Sequence, residues 1–266
     1  MKFVNENLLR SALTNLPIPD IHYFDTIGST NDAALKWADE GAPDGALVVS
    51  NTQSAGRGRL NRRWITNPDA ALAFSLILHP PERQLAIPAL YSPLGALAVK
   101  ETLISKYGLV AKIKWPNDVL INRKKAAGIL VETIWLGSHL QVIVLGIGVN
   151  VTLEAIPTSN QLRFPATNIE QETGLKIDRI SLLVSILQEI WHWRYLTCTQ
   201  EFIHSWEDSL AFLHERVIIS NPITDEPPLK GILMGVDRDG NLRLQTRDGV
   251  EHKIAVGEVN LRPAGD

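Results

Sequence analysis

The sequence predicts an α+β chain in two parts: a large layer of strands and helices over residues 1–214 and a small antiparallel β-barrel over residues 215–266. Up to residue 214, apolar strand-like runs alternate with helical stretches. From Arg216 onward, short β-rich runs are separated by Asn221-Pro222, Asp239-Gly240 and Asp248-Gly249, the last two being hairpin signals. About 50 residues of that texture suit a barrel of the SH3 type. The full length of 266 residues accommodates one large domain and one small one.

Residues 1–20 predict one short amphipathic helix and then the turn-rich Leu16-Pro17-Ile18-Pro19-Asp20. A strand follows at residues 21–25. Ser29, Thr30, Asn31 and Asp32 offer N-caps for a helix over residues 33–39, which stops before Gly41. Residues 46–50 and 71–78 are apolar enough for buried strands. Residues 87–106 read as a long helix, with Pro88 tolerated in its first turn and Pro93 a candidate kink. Lys112-Ile113-Lys114 alternates as a strand, Trp115-Pro116-Asn117-Asp118 breaks it, and Val119-Leu120-Ile121 resumes before the polar turn Asn122-Arg123-Lys124. Two apolar strands, 128–135 and 140–145, are joined by Gly137-Ser138-His139. Asp178 caps a helix running to residue 196, and residues 201–210 form another.

Composition excludes several classes. Acidic residues number 29 and basic residues 26, giving a net charge of -3, so the whole surface is not built to grip nucleic acid or an anionic membrane. Cys198 is the single cysteine, which rules out an intramolecular disulfide; its aromatic-rich neighbourhood predicts a buried, inert thiol. Seven scattered histidines do not make a compact zinc pattern. The N-terminus has no apolar segment behind its charge, and no apolar run reaches the roughly 20 residues that span a bilayer. A cytoplasmic protein is expected.

Against that acidic balance, Arg57, Arg59, Arg62 and Arg63 crowd into Gln53-Ser54-Ala55-Gly56-Arg57-Gly58-Arg59-Leu60-Asn61-Arg62-Arg63-Trp64. Guanidinium groups carry permanent charge and paired donors suited to carboxylates and phosphates. Gly56 and Gly58 let a ligand approach the main chain, and Trp64 adds a stacking surface. Such a loop surrounds an anion. The same arginines could instead form surface ion pairs of little energetic value.

Three further segments carry candidate chemistry. In Lys112–Val119, Asn117 and Asp118 sit at a forced strand break; Asp118 could contact magnesium, or the pair could simply make the turn. Lys125 enters a buried strand three positions before Gly128 and could aim an ammonium at an anion, whereas Arg123 and Lys124 read as a solvated cationic turn. In Gly146-Ile147-Gly148-Val149-Asn150, alternate glycines bare one strand face, leaving room for a flat ligand or for tight sheet packing. No helix-forming stretch follows these glycines, so they are not a dinucleotide-binding fingerprint, and the chain has no Walker A sequence. Ser29-Thr30 could cap a helix, bind a ligand, or both; capping is the default.

In their order along the chain, Ser29-Thr30-Asn31, Gln53 through Trp64, Lys114 through Asp118, Ala127 through Glu132 and Gly146 through Asn150 resemble biotin protein ligases (biotin–[acetyl-CoA-carboxylase] ligases). The β-rich tail matches that family's small C-terminal domain. The resemblance implies a core like that of class II aminoacyl-tRNA synthetases, a mixed sheet flanked by helices, and no nucleophilic side chain. It implies ATP-dependent activation of biotin as biotinyl-5′-AMP and transfer to a lysine of a biotin carboxyl carrier protein, the acetyl-CoA carboxylase subunit. Ser29, Thr30, Asn31 and Gln53 would then bind the biotin head group, with Gly128, Gly146 and Gly148 lining its slot. The loop Gly56-Arg57-Gly58-Arg59 would close over biotin and adenylate. Lys125 would contact the reacting carboxylate and α-phosphate, and Arg57, Arg59, Trp64, Asn117 and Asn150 would lie by the nucleotide. Asp118 would contact magnesium or help the acceptor lysine lose its proton.

Two departures stand out. The family pattern has glycine where this chain has Asn61, a residue that tolerates left-handed backbone better than most. Family members that also repress genes carry an N-terminal helix-turn-helix, which residues 1–20 are too short to form; a ligase without specific DNA binding is expected, as monomer or homodimer. The nearest rival is a lipoate or octanoate ligase or transferase of the same fold. A non-catalytic module gripping RNA or a phosphorylated partner is a reading of another class, which would make binding salt-sensitive and Lys125 dispensable.

Overall fold

The computed structural model describes residues 6–80, 87–157, 164–220, 227–255 and 260–263. Helix α1 (Glu6–Ala12) precedes β1 (Ile21–Ile27), α2 (Thr30–Asp39), β2 (Leu47–Gln53) and β3 (Ala71–Leu78). A 3-10 turn at Pro88–Leu90 leads into α3 (Tyr91–Tyr107), and then come β4 (Ala111–Lys114), β5 (Asp118–Ile121), β6 (Lys124–Leu136) and β7 (His139–Asn150). Helices α4 (Ile169–Thr173), α5 (Arg179–Arg194) and α6 (Gln200–Asp208) complete this part. Its seven strands are ordered β1-β2-β3-β7-β6-β5-β4, with β1 and β2 parallel and every other pair antiparallel.

Strands β8 (Arg216–Ser220), β9 (Leu229–Val236), β10 (Leu242–Gln245), β11 (Glu251–Ile254) and β12 (Asn260–Pro263) form a second, wholly antiparallel sheet in the order β11-β10-β9-β8-β12. The Asn221-Pro222 turn lies outside the described residues. Packing runs continuously between the two sheets: Trp115, Trp206 and Leu210 share one core with Val217, Leu233 and Leu244. The buried Trp115 indole donates to the Gly240 carbonyl at 3.2 Å. Arg123 is exposed yet not merely solvated, because it forks onto Glu215 at 3.0 and 2.9 Å and lies over the Phe212 ring.

Local chemistry explains the boundaries. Asp178 accepts from the Ile180 and Ser181 amides at the start of α5, and Asn168 and Thr199 do the same for α4 and α6. α3 ends at Gly108, whose φ of 65° suits glycine. Pro93 is the third residue of α3, where an amide has no helical acceptor, so the kink expected there has no cause. Ser29 precedes α2 in extended conformation but makes no side-chain cap hydrogen bond, so the default reading as a cap does not hold. Cys198 is exposed, not buried: it lies in the turn after α5, while the aromatics that suggested burial, Trp191 and Trp193, face the core from the helix itself.

The large sheet has two faces. α3 and α5 cover one, burying Leu145, Ile147 and Val149 of β7. α2 covers part of the other, where Ala34 packs on Val48, Ile77 and Val144. β7 residues two apart share a face, so Gly146 and Gly148 continue the α2 side beyond the point where α2 begins.

Candidate active site

The strand register sets one row of residues across the sheet on that side. Ala73 pairs with Gly148, Gly148 with Gly128, Gly128 with Asp118, and Asp118 with Lys114. Residues directly opposite one another point to the same face. The row therefore runs from three positions with little or no side chain to a carboxylate and an ammonium. The neighbouring row, Ser75–Gly146–Leu130, lies beside the first turn of α2.

The near end of this floor is neutral. Gln53 Oε1 accepts from the Thr30 amide at 2.8 Å and from the Thr30 hydroxyl at 3.1 Å. Ser75 Oγ lies 2.8 Å from Thr30 Oγ1 and 2.6 Å from Asn31 Oδ1. Asn31 Nδ2 donates to Glu132 Oε2 at 2.9 Å. Apart from Glu132, which does not line the cavity, these are donors and acceptors without net charge at the cavity wall, held by one another.

The far end is ionic. Asp118 is almost buried, with Oδ1 2.5 Å from Lys125 Nζ and Oδ2 3.6 Å from Lys114 Nζ. Burial alone would raise its pKa; the two ammoniums outweigh burial and hold the carboxyl below its ordinary range. Arg59 is pulled the other way: burial lowers its pKa, opposed by Asp118. Arg59 Nη1 reaches Asn117 Oδ1 at 3.5 Å, and Asn117 donates to the Ile129 carbonyl at 2.8 Å. Lys114 also lies over the Phe164 ring at 4.7 Å, and Lys125 over the Trp64 ring at 5.5 Å.

The arginine loop forms the roof as a small hairpin. The Trp64 amide donates to the Gly56 carbonyl at 2.9 Å and the Gly58 amide to the Arg62 carbonyl at 2.7 Å. The Arg62 amide closes on the Arg59 carbonyl at 3.2 Å, with Leu60 and Asn61 between them at φ 56° and 57°. Positive φ at both central positions is the type I′ pattern, which fits hairpin twist and favours Asn and Gly. Arg57 is drawn aside from the cavity centre, its Nη2 lying 2.6 Å from Asp32 Oδ1 and 2.5 Å from Glu132 Oε2.

Arg57, Arg59, Arg62, Arg63, Lys114 and Lys125 line the cavity with a single carboxylate, Asp118. That excess of positive charge selects an anionic ligand. The chain matches the Biotin/lipoate A/B protein ligase family over residues 23–150 and the Biotin protein ligase C terminal domain over residues 223–262. It is 32% identical over 244 residues to the bifunctional ligase/repressor BirA of Bacillus subtilis, covering 90% of this chain and 73% of that one. It is 35% identical over 225 residues to the biotin–[acetyl-CoA-carboxylase] ligase of Paracoccus denitrificans, covering 82% of this chain and 90% of that enzyme. The chain belongs to the biotin protein ligase family. The biotin protein ligase from Aquifex aeolicus in complex with biotin and ATP superposes with a TM-score of 0.77 at 28% identity, over 93% of this chain and 100% of that one. The mixed sheet with helices and a C-terminal antiparallel sheet is thus the fold of a biotin protein ligase.

Within this ligase chain, Ser29, Thr30, Asn31, Gln53, Arg57, Gly58, Arg59, Trp64, Asn117, Asp118, Lys125, Gly128, Gly146 and Gly148 meet around one cavity. Gly56 and Asn150 do not line it. Gly56 is the hairpin's tight point, where a methyl group would strike the Trp64 carbonyl. Asn150 secures a neighbouring loop, donating to the Thr167 carbonyl at 3.0 Å and the Lys125 carbonyl at 3.4 Å. The glycine face is not simply open: a methyl group at Gly146 would overlap the Asn31 amide, and one at Gly148 the Trp64 indole. Sequence reading gave Arg62 only as part of the arginine loop and Lys114 only as part of a motif, without a role of its own, and it missed Ser75. A serine in the middle of the apolar run Ala71–Leu78 was the available signal for Ser75.

Proposed function

We propose that this ligase joins biotin to ATP and then to a protein lysine on the floor described above. Biotin is activated as biotinyl-5′-AMP: a carboxylate oxygen attacks the α-phosphorus, the bond to pyrophosphate breaks, and pyrophosphate leaves. A lysine amine of a biotin carboxyl carrier protein then attacks the acyl carbon, loses its proton, and AMP departs. The observation that carries this reading is the row from Gly148 to Lys114, which places an uncharged slot end to end with a cationic one.

The neutral end suits a ureido ring. Thr30, Asn31 and Gln53, backed by Ser75, present fixed dipoles to it, with Ser29 beside them. Biotin's carboxylate would then reach Lys125, and the α-phosphate would lie among Lys125, Arg59 and Lys114, where charge developing on oxygen is stabilised by preorganised cations. Trp64, whose indole lies over Gly148 and Gly128 and near Lys125, would offer its ring to the adenylate, with Asn117 held by Arg59 at the cationic end. Two carboxylate-bearing or phosphate-bearing reactants repel one another, so fixed cations are the main requirement of the first step. For the second step, Asp118 remains ionised at neutral pH and accepts a hydrogen bond from the incoming lysine.

Asp118 is a poor magnesium ligand as it stands. Both of its oxygens face ammoniums, and no group of three or more acidic, His or Cys side chains forms among the described residues. Magnesium fits this site as the ion carried by the phosphates of ATP, supplying charge neutralisation there. No helix among the described residues is long and apolar enough to cross a membrane, and the ATP requirement suits a cytoplasmic setting.

The deciding experiment is pyrophosphate release by the purified protein with ATP and magnesium, given biotin, lipoate or octanoate in parallel. Release with biotin alone is expected. Release with lipoate or octanoate instead would keep the fold and overturn the substrate.

A further inference from the structure

Arg57 lies closer to two carboxylates than to the cationic end of the slot. Its Nη2 is 2.6 Å from Asp32 Oδ1, on the first turn of α2, and 2.5 Å from Glu132 Oε2, on β6. The same Glu132 oxygen accepts the Asn31 amide at 2.9 Å. Asn31 is fixed in turn by Ser75, and Gly146 carries no side chain that would keep the Asn31 amide off β7. One carboxylate oxygen thus joins the roof of the cavity to its neutral wall. Charge-assisted bonds of this kind are short and directional, and the Glu132 side chain is only 23% exposed, against 56% for Asp32.

We propose that Glu132, assisted by Asp32, is a positioning residue that latches the arginine hairpin shut and couples its closure to the ligand-facing wall. The proposal rests on the ligase reading for the identity of the ligand, not for the latch. Glu132 touches neither the slot centre nor the phosphate end; it acts through Arg57 and Asn31. A ligand that engages Asn31 orients the amide that shares Glu132, and so favours the closed hairpin over the open one. In the absence of that shared oxygen, the roof would keep its own turn, the Arg57–Asp32 pair at the exposed edge, the long Arg59–Asn117 contact and the Trp64 ring over Gly148, but lose its tie to the Asn31 wall.

The arginines themselves report the open state: Arg62 and Arg63 are exposed even in the closed hairpin, but trypsin needs an extended backbone, which the bonded turn from Gly58 to Arg62 withholds, so cleavage after Arg59, Arg62 and Arg63 speeds up when the hairpin opens. Cleavage of a transiently opened segment tracks the open population. Glu132→Gln should raise cleavage at these three sites by about tenfold in the unliganded protein, and Asp32→Asn by a few-fold, with thermal unfolding little changed. In an Arg57→Gln background, Glu132→Gln should add almost nothing, since the shared contact is already gone. Biotin should protect the wild type strongly and Glu132→Gln weakly, and the KM for biotin should rise more than kcat falls. Unchanged cleavage in Glu132→Gln, or an undiminished effect in the Arg57→Gln background, would overturn the latch. Should Glu132→Gln fold poorly, Asp32→Asn at its exposed site carries the same test. Normal biotin-dependent pyrophosphate release with no cleavage change removes the latch alone. The reverse pattern, altered cleavage without pyrophosphate release, leaves the latch and removes the substrate assignment.

Discussion

Lys125→Ala is the substitution that asks most of the proposed chemistry. Its Nζ lies 2.5 Å from Asp118 Oδ1 and above the Trp64 ring, at the junction of the neutral and cationic ends. In the ground state the loss is modest, because Asp118 keeps Lys114 at 3.6 Å. The Lys125 side chain is 28% exposed, so water replaces part of what is removed. A cost of about 1–2 kcal/mol in stability follows, well below that of stripping a fully buried charge. In the transition state the ammonium would face an oxygen gaining charge at the α-phosphorus. One preorganised donor at such a position is worth about 3 kcal/mol or more, hence on the order of 100-fold or greater in rate. The assay is biotin-dependent pyrophosphate release, followed by transfer from supplied biotinyl-5′-AMP to a carrier domain. Adenylation should collapse while transfer falls much less and the melting transition shifts by only a few degrees. Near-normal adenylation in a folded Lys125→Ala protein would refute the role of Lys125 and with it the placement of the phosphate.

Four other outcomes are expected. Arg59→Gly should speed dissociation of biotinyl-5′-AMP by about tenfold or more, since a partly buried cation is lost from the roof; an unchanged off-rate measured by fluorescence or filter binding counts against it. Asn61→Gly should leave biotin affinity within a few-fold and tighten the hairpin slightly, because glycine accepts the left-handed φ of 57° freely; titration calorimetry showing a large change in either direction would contradict this. Gly146→Ala should weaken biotin binding by about tenfold or more, because the new methyl must displace an Asn31 amide held by Ser75 and Glu132; wild-type affinity would show that the wall can yield. The last concerns acid. Asp118 has a lowered pKa in the folded state, so its contribution is present above the unfolded value of about 3.9 and is lost as pH falls through the depressed folded value. Asp118→Asn should therefore flatten the acid limb of stability against pH, and an unaltered limb in chemical denaturation would exclude that linkage.

Elements written in local chemistry were legible in the sequence. Asp178 announces α5, and the apolar run of β3 could be read to the residue. The arginine hairpin was legible as an anion site, and Asn61 as a left-handed position, but not as the second central residue of a turn whose first is Leu60. Nothing local makes leucine a turn residue; the pairing of Gly58 with Arg62 imposes it. The row from Ala73 to Lys114 was hidden for a different reason. Gly128 and Gly148 face each other only because β6 and β7 pair in one register, and a shift of one residue would turn both away. Long-range partners of a charge were likewise invisible, since Arg57 finds Glu132 across 75 positions of sequence. Cys198 shows the converse error: neighbours in sequence that are buried need not bury a residue in the turn beyond them.

The charge pattern of the floor has one further consequence. A slot built to bring two anions together must stay folded with six cationic groups lining it. Asp118 answers this at the deep end by holding Lys125 and Lys114, and Asp32 with Glu132 answer it at the roof by holding Arg57. In each case the carboxylate neutralises a cation at the wall of the site. An arriving phosphate need not find disordered cations and organise them; it competes with a fixed carboxylate for cations already in place. That exchange limits the affinity gained from charge alone and preserves the orientation on which an in-line attack depends. Removing both roof carboxylates should therefore leave the cations free to grip anions harder and less selectively. The Asp32→Asn, Glu132→Gln double variant should bind inorganic pyrophosphate more tightly while binding biotin more weakly, and a parallel change in the two affinities would refute this account of why acids surround an anion site.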